Sequence, residues 1–212
     1  MSQSEYLIVF VSILIGLGLS ELMSSLRDLV QPKRDVRWHG LPMIWAVIVL
    51  GYVLAVWWVL FRLLRLEMWY HPVAFLPVLM TVLTLYLLCA FTLPDADPES
   101  NMHVTEAGEN RERIDLESFY LSKVHRRWFF GTAAIFSLLF FSTFNAAQFY
   151  EQGRPLKVVI RQILLTFPIF IIPHILLAVI ERKWVHWGLT LYSFGWIVFL
   201  LFDVAVALTG ID

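Results

Sequence analysis

The stretch YLIVFVSILIGLGLSELMSSLRDLV, residues 6–30, decides how this chain is read. Its first half, residues 6–19, carries no charge. Its second half adds Glu21, Arg27 and Asp28 without losing the pattern of one helix. Ser12, Gly16, Ser20 and Ser24 recur at every fourth position, which on a helix makes a nearly straight seam of small residues where another backbone can come close. Gly18, Glu21, Ser25 and Asp28 follow i+3/i+4 spacing and form a polar row beside it. The segment is apolar enough to enter a bilayer, yet it bears a stripe that lipid does not tolerate. The rest of the chain is expected to cover that stripe.

Five more apolar runs of about 20 residues follow, each long enough to cross roughly 30 Å of hydrocarbon as a helix. The six spans are expected at residues 6–30, 41–61, 73–93, 128–150, 158–180 and 185–208. Of the 212 residues 59% are hydrophobic and 16% charged, with a mean hydropathy of +0.71, and these values leave the range of soluble domains. The runs do not alternate apolar with polar, so a β-barrel is excluded. The expected fold is therefore an all-α integral membrane protein, a single domain over 1–212. The residues before the first run have no basic n-region and no small-residue cleavage site, so the first run is read as a retained span.

Residues 94–127 are the one long polar connection. Its first part, to Glu112, is acidic. Its second part, residues 114–127, places Leu116, Phe119, Tyr120 and Val124 on one face and ends in Lys123, Arg126 and Arg127. That pattern predicts an interfacial amphipathic helix between spans three and four. Connections one, three and five hold eleven Lys and Arg, and the other side holds five. The positive-inside rule then puts the odd connections in the cytoplasm and both termini outside. The run Gly16–Leu22 resembles that of small bacterial membrane proteins; the resemblance covers one helix and implies no activity, and a bacterial inner membrane is the expected location.

The ionisable groups within the runs are the candidate chemistry. At about 1.5 Å per residue, Glu21 lies about 22 Å and His174 about 24 Å from the outer ends of their spans. A carboxylate and an imidazole at one level suit a proton relay or an ion site. The structural alternative is that Glu21 snorkels to the inner interface while His174 bonds a carbonyl freed by Pro173. Pro168 and Pro173 in one span predict a kinked or locally unwound helix. Nearer the outside, Arg161 and Asp203 are expected to pair and lock spans five and six, with Asn145 and Gln148 at the same level. A charge filter at the mouth of a path is the other reading of Arg161. A polar thread would run through Asn145, Gln148, Arg161, Asp203, Thr81, Thr84, His174, Glu21, Ser25 and Asp28.

No cofactor, metal or catalytic constellation is expected. The single Cys89 allows no internal disulfide, and no phosphate loop, HExxH or GxSxG is present. Oxygen-bearing residues between Asp95 and Glu106 follow EF-hand spacing. Ser100 stands where the sharp turn wants glycine, and Pro98 stiffens the loop, so a solvated acidic loop is the reading taken. A net charge of −1 argues against a nucleic-acid partner. The first functional expectation is a channel or transporter-like protein for protons or small ions, with a homo-oligomer formed through the Ser12/Gly16/Ser20/Ser24 row. The alternative is a non-transporting scaffold or sensor that binds a cytoplasmic partner through residues 94–127. A lipid-acting enzyme built from Asp28, Asp35, His39, His125 and His186 is a third and weaker expectation.

Overall fold

The computed structural model describes residues 3–31, 35–94, 113–153 and 155–209. Seven α-helices carry nearly all of it: α1 Gln3–Val30, α2 Gly40–Leu63, α3 Pro72–Thr92, α4 Leu116–Leu121, α5 Lys123–Gln152, α6 Leu156–Val179 and α7 Lys183–Thr209. Two short strands, β1 Asp35–Arg37 and β2 Arg113–Asp115, complete it with a 3₁₀ turn at Glu67–Tyr70. Among the described residues five helices are long and apolar enough to cross a membrane: α1, α2, α3, Lys123–Glu151 of α5 and Lys183–Asp203 of α7. In α6 the corresponding apolar stretch is the shorter Phe167–Val179. The chain is thus a helical protein whose composition and helix lengths suit a multipass membrane protein.

Local sequence explains where the helices start and stop. His39 accepts the Leu41 N–H at the start of α2, and Pro42 sits in the first turn, where its missing N–H is harmless. Asp115 accepts from the N–H groups of Glu117 and Ser118 and so caps α4. Ser122 ends α4, and its hydroxyl accepts from His125 N to start α5. Gly153 ends α5 at φ 59°, the left-handed position that glycine fills without a Cβ penalty.

The amphipathic helix expected over 114–127 does not form as one piece. Ile114 pairs in β2, α4 is six residues long, and Ser122 separates it from α5. Leu116 and Tyr120 are buried in protein, whereas Val124 is 70% exposed, so they do not share one lipid-facing surface. Serine competes for backbone groups with its own hydroxyl, which makes it a cap rather than an interior residue here. Nor is α6 unwound: it runs through Pro168 and Pro173 as continuous helix. Pro173 leaves the Ile169 carbonyl without its i+4 donor, and the Tyr192 hydroxyl of α7 donates to that oxygen at 3.3 Å. The acidic EF-hand-like loop at 95–106 lies outside the described residues.

Helix α1 packs mainly on α3, and α3 also carries α5 and α2; α5 is covered by α6, and α2 by α7. Two glycines inside spans mark close contacts between helices. A Cβ at Gly18 would stand 3.3 Å from Tyr86 Cα, and one at Gly51 would stand 2.5 Å from Ile197 Cγ1. The row of α1 buried against its neighbours is Val11, Ile15, Gly18, Leu22, Ser25 and Leu29. The seam of small residues lies off that row: Gly16 and Ser20 are exposed, Ser12 and Ser24 half-buried, and a Cβ at Gly16 would meet nothing within 4 Å.

Connections one, three and five meet at one end. β1 pairs with β2 in parallel, Val36 against Ile114. Arg37 bonds Asp115 at 3.4 Å, Lys183 pairs with Glu117, and the rings of His39 and Trp187 lie 6.1 Å apart. At the opposite end Gln3 Nε2 donates to the Tyr70 carbonyl, 3.2 Å away, tying the start of α1 to connection two.

Candidate functional site

Just inside the end closed by the odd connections lies a layer of buried aromatic and polar side chains. Trp45 of α2 is fully buried at its centre. Its ring meets Phe129 and Phe130 of α5 edge-on at 5.4 and 5.1 Å, and His174 of α6 at 5.9 Å. Its indole N–H donates to Thr190 Oγ1 of α7 at 2.9 Å. One side chain therefore holds four helices, and the hydrogen bond answers the cost of burying an indole N–H.

His186, at the start of α7, is fully buried and uses both ring nitrogens. Nε2 lies 2.8 Å from the Ile180 carbonyl, and Nδ1 lies 3.1 Å from the Tyr120 hydroxyl. A carbonyl only accepts, so we assign the proton to Nε2, and the Tyr120 O–H donates to Nδ1. Both bonds form with a neutral imidazole. Burial pushes the Tyr120 phenol up to about 12. This clamp ties α4 and the turn before α7 to the bundle.

Charged pairs surround the clamp. Arg126, with its side chain only 3% exposed, donates to the Ala178 carbonyl and to Glu181 at 2.8 Å. The Glu181 carboxyl is held below the ordinary carboxylate value by the Arg126 hydrogen bond and charge, and Lys123 and Arg127 add to the effect. Glu117 is lowered chiefly by its hydrogen bond from Lys183. At Asp115, burial pushes the carboxyl up. Hydrogen bonds from Glu117 N–H and from Ser118, with the Arg37 charge, outweigh it and leave the group lowered.

The residues singled out in the sequence are not gathered into one path. His174 is buried; its Nδ1 lies 2.5 Å from the Phe170 carbonyl, its ring lies on Trp45, and its Nε2 has no partner among the described residues. Glu21 is half-buried on α1, which packs on α3 and α2, and no hydrogen bond or ion pair joins it to His174 among the described residues. Ser25 is buried at the α1 contact, and Asp28 bonds its neighbours Arg27 and Gln31. Asn145 is buried, but its side chain donates back to Phe141 O of its own helix at 2.7 Å; Gln148 is half-buried. Arg161 and Asp203 are both exposed, and no ion pair joins them among the described residues. The expected Arg161–Asp203 lock is thus not seen among the described residues.

Little open volume accompanies these groups. The cleft among Tyr52, Ser137, Phe140, Phe170 and Trp196 holds about 20 Å³, room for about one water, and its walls are mostly aromatic. Among the described residues no cluster of three or more His, Cys, Asp or Glu could hold a metal ion. Of the histidines weighed for a lipid-acting enzyme, His39 caps α2, while His125 and His186 both pack against Tyr120, His125 stacked on Phe129 and His186 hydrogen-bonded in the clamp. The sequence pattern puts Tyr120 on the face of an interfacial helix, and nothing in the sequence joins it to His186. Their spacing of 66 residues carries no local signal, and only the fold makes them partners. No family model, curated protein or solved structure matches the chain.

Proposed function

We propose that the chain is a six-span protein of a bacterial inner membrane, both termini outside, that acts as a non-transporting scaffold or sensor. In this reading α6 is the sixth span, the odd connections face the cytoplasm, and a cytoplasmic protein binds segment 94–127. The observation that carries the reading is the knitting of connections one, three and five into one cap over a layer of interlocked aromatic side chains. Such a cap holds residues 113–121, within the described part of segment 94–127, in a fixed position. The intramembrane polar groups support it as well, since Thr81, Asn145 and His174 each bond a carbonyl of their own helix. The reading assigns no enzymatic chemistry and no cofactor.

The test is affinity capture from solubilised membranes with the full chain and with residues 95–112 deleted. A protein retained by the first and lost by the second, with unchanged helicity, supports the scaffold. An identical set of retained proteins removes segment 94–127 as the binding element.

Conduction of protons or small ions is the second reading, and it needs a second copy of the chain. What favours it is the outward position of Gly16 and Ser20 next to half-buried Glu21, which lets a homo-oligomer close a path between chains. Flux into liposomes under a pH or potassium gradient, abolished by Glu21→Gln with folding intact, would move the assignment to this reading. No flux from the wild type would remove it.

A further inference from the structure

The corner where α5 and α7 begin is held together by Tyr120–His186, Arg126–Glu181 and Lys183–Glu117. Its two acids are committed: Glu181 to the buried Arg126, and Glu117 to Lys183. Lys123, Arg127 and Arg182 are exposed, and among the described residues none of them has an ion-pair partner. They are close to one another. Lys123 and Arg127 stand one helical turn apart and both act on the Glu181 carboxyl, and Arg182 is the next residue in the chain. Two helix N-termini add their positive ends to the same corner.

The surface beside these cations is apolar. Trp128 is 66%, Val179 69% and Trp184 70% exposed. Tryptophans within the first two turns of spanning helices belong at the headgroup level. A free anion would satisfy the cations and leave the two indoles uncovered. A phospholipid brings a phosphate and, next to it, a glycerol and acyl region for the indoles to meet.

We infer that this corner is a binding site for an anionic phospholipid of the leaflet on that side. Lys123, Arg127 and Arg182 hold the phosphate, and Trp128 and Trp184 flank the glycerol region. The site is independent of whether the chain scaffolds or conducts.

The test uses the full-length protein in nanodiscs of equimolar phosphatidylglycerol and phosphatidylcholine, released into a mass spectrometer that counts retained lipids. The wild type retains phosphatidylglycerol preferentially. Each basic side chain near an anionic surface contributes about fivefold, so the triple variant Lys123→Gln/Arg127→Gln/Arg182→Gln loses roughly 100-fold of that preference. Arg182→Gln alone, in the connection and outside any helix, loses about fivefold and guards against misfolding of the triple variant. Arg62→Gln/Arg65→Gln, at the opposite end, leaves the preference unchanged. Equal retention of the two lipids by the wild type overturns the site. So does an equal loss in the Arg62/Arg65 variant, which would make it a matter of net charge. Displacement of phosphatidylglycerol by millimolar inorganic phosphate would assign the corner to a free anion instead.

Discussion

His186 commits one nitrogen to a backbone carbonyl and the other to the Tyr120 hydroxyl, so its energetic role is that of a joint rather than a titrating group. A net hydrogen bond of this kind is worth about 1 kcal/mol, and stranding a buried partner costs about 1–3 kcal/mol. His186→Phe and Tyr120→Phe should each lower thermal stability in detergent, and together they should cost about 1 kcal/mol less than the two effects added. Strict additivity would show that the hydroxyl and the ring act separately. Glu181 carries a pH dependence whose sign follows from its partner. Its carboxyl is held below the ordinary 4.5 by Arg126, so in the folded state it stays ionised at pH values where the unfolded chain has taken up a proton. The contribution is complete above that ordinary value and is lost as pH falls through the lowered one. Melting curves of wild type and Glu181→Gln should differ at neutral pH and converge on acidification; a constant gap would place the stabilising interaction elsewhere.

Among the elements, α1 and α2 use their glycines in opposite ways. Gly51 lies where α7 comes closest, so Gly51→Ala forces a Cβ into Ile197 and should cost about 1–3 kcal/mol, relieved in part by Ile197→Ala. Gly16→Ala has open space and should leave the stability of the single chain unchanged. A drop in oligomer size by light scattering would instead identify Gly16 as a contact between copies. This contrast shows how far the sequence could be read. Each of the six apolar runs forms a helix within a few residues of its expected bounds, because length and composition are local properties. Small residues stand both in the seam at Ser12, Gly16, Ser20 and Ser24 and at Gly18 and Ser25 of the neighbouring row, so both offer a place for another backbone to approach. Which of them meets α3 depends on the rotation of the helix, and that is set by Tyr86 and Cys89, some 70 residues away. The same holds for Glu21 and His174. Their depths could be counted from helix rise, but their facing could not, and α1 and α6 pack on different neighbours. The Tyr192–Ile169 bond, which answers the loss at Pro173, was equally beyond reach because Tyr192 is on another helix.

For the whole molecule, the arrangement fixes which connections share a side. Cysteines introduced at Ser118 and at Glu67, both exposed positions on opposite ends, should be alkylated by an impermeant reagent from opposite faces of sealed vesicles. Native Cys89 is fully buried and should stay unlabelled until the protein is denatured. Labelling of both sites from one face would require a different threading of the chain.

The parallel pairing of β1 with β2 also has a consequence for how the protein is made. Arg37 and its partner Asp115 are separated by 78 residues, with two whole helices between them. At about 5–20 residues per second, β1 leaves the ribosome roughly 4–16 seconds before β2 exists. During that interval its backbone groups have no strand to pair with, and α2 and α3 are already passing through the insertion machinery. The end cap is therefore assembled late, after the first three helices are in place, and its closure marks the point in biogenesis at which the two halves of the chain are joined.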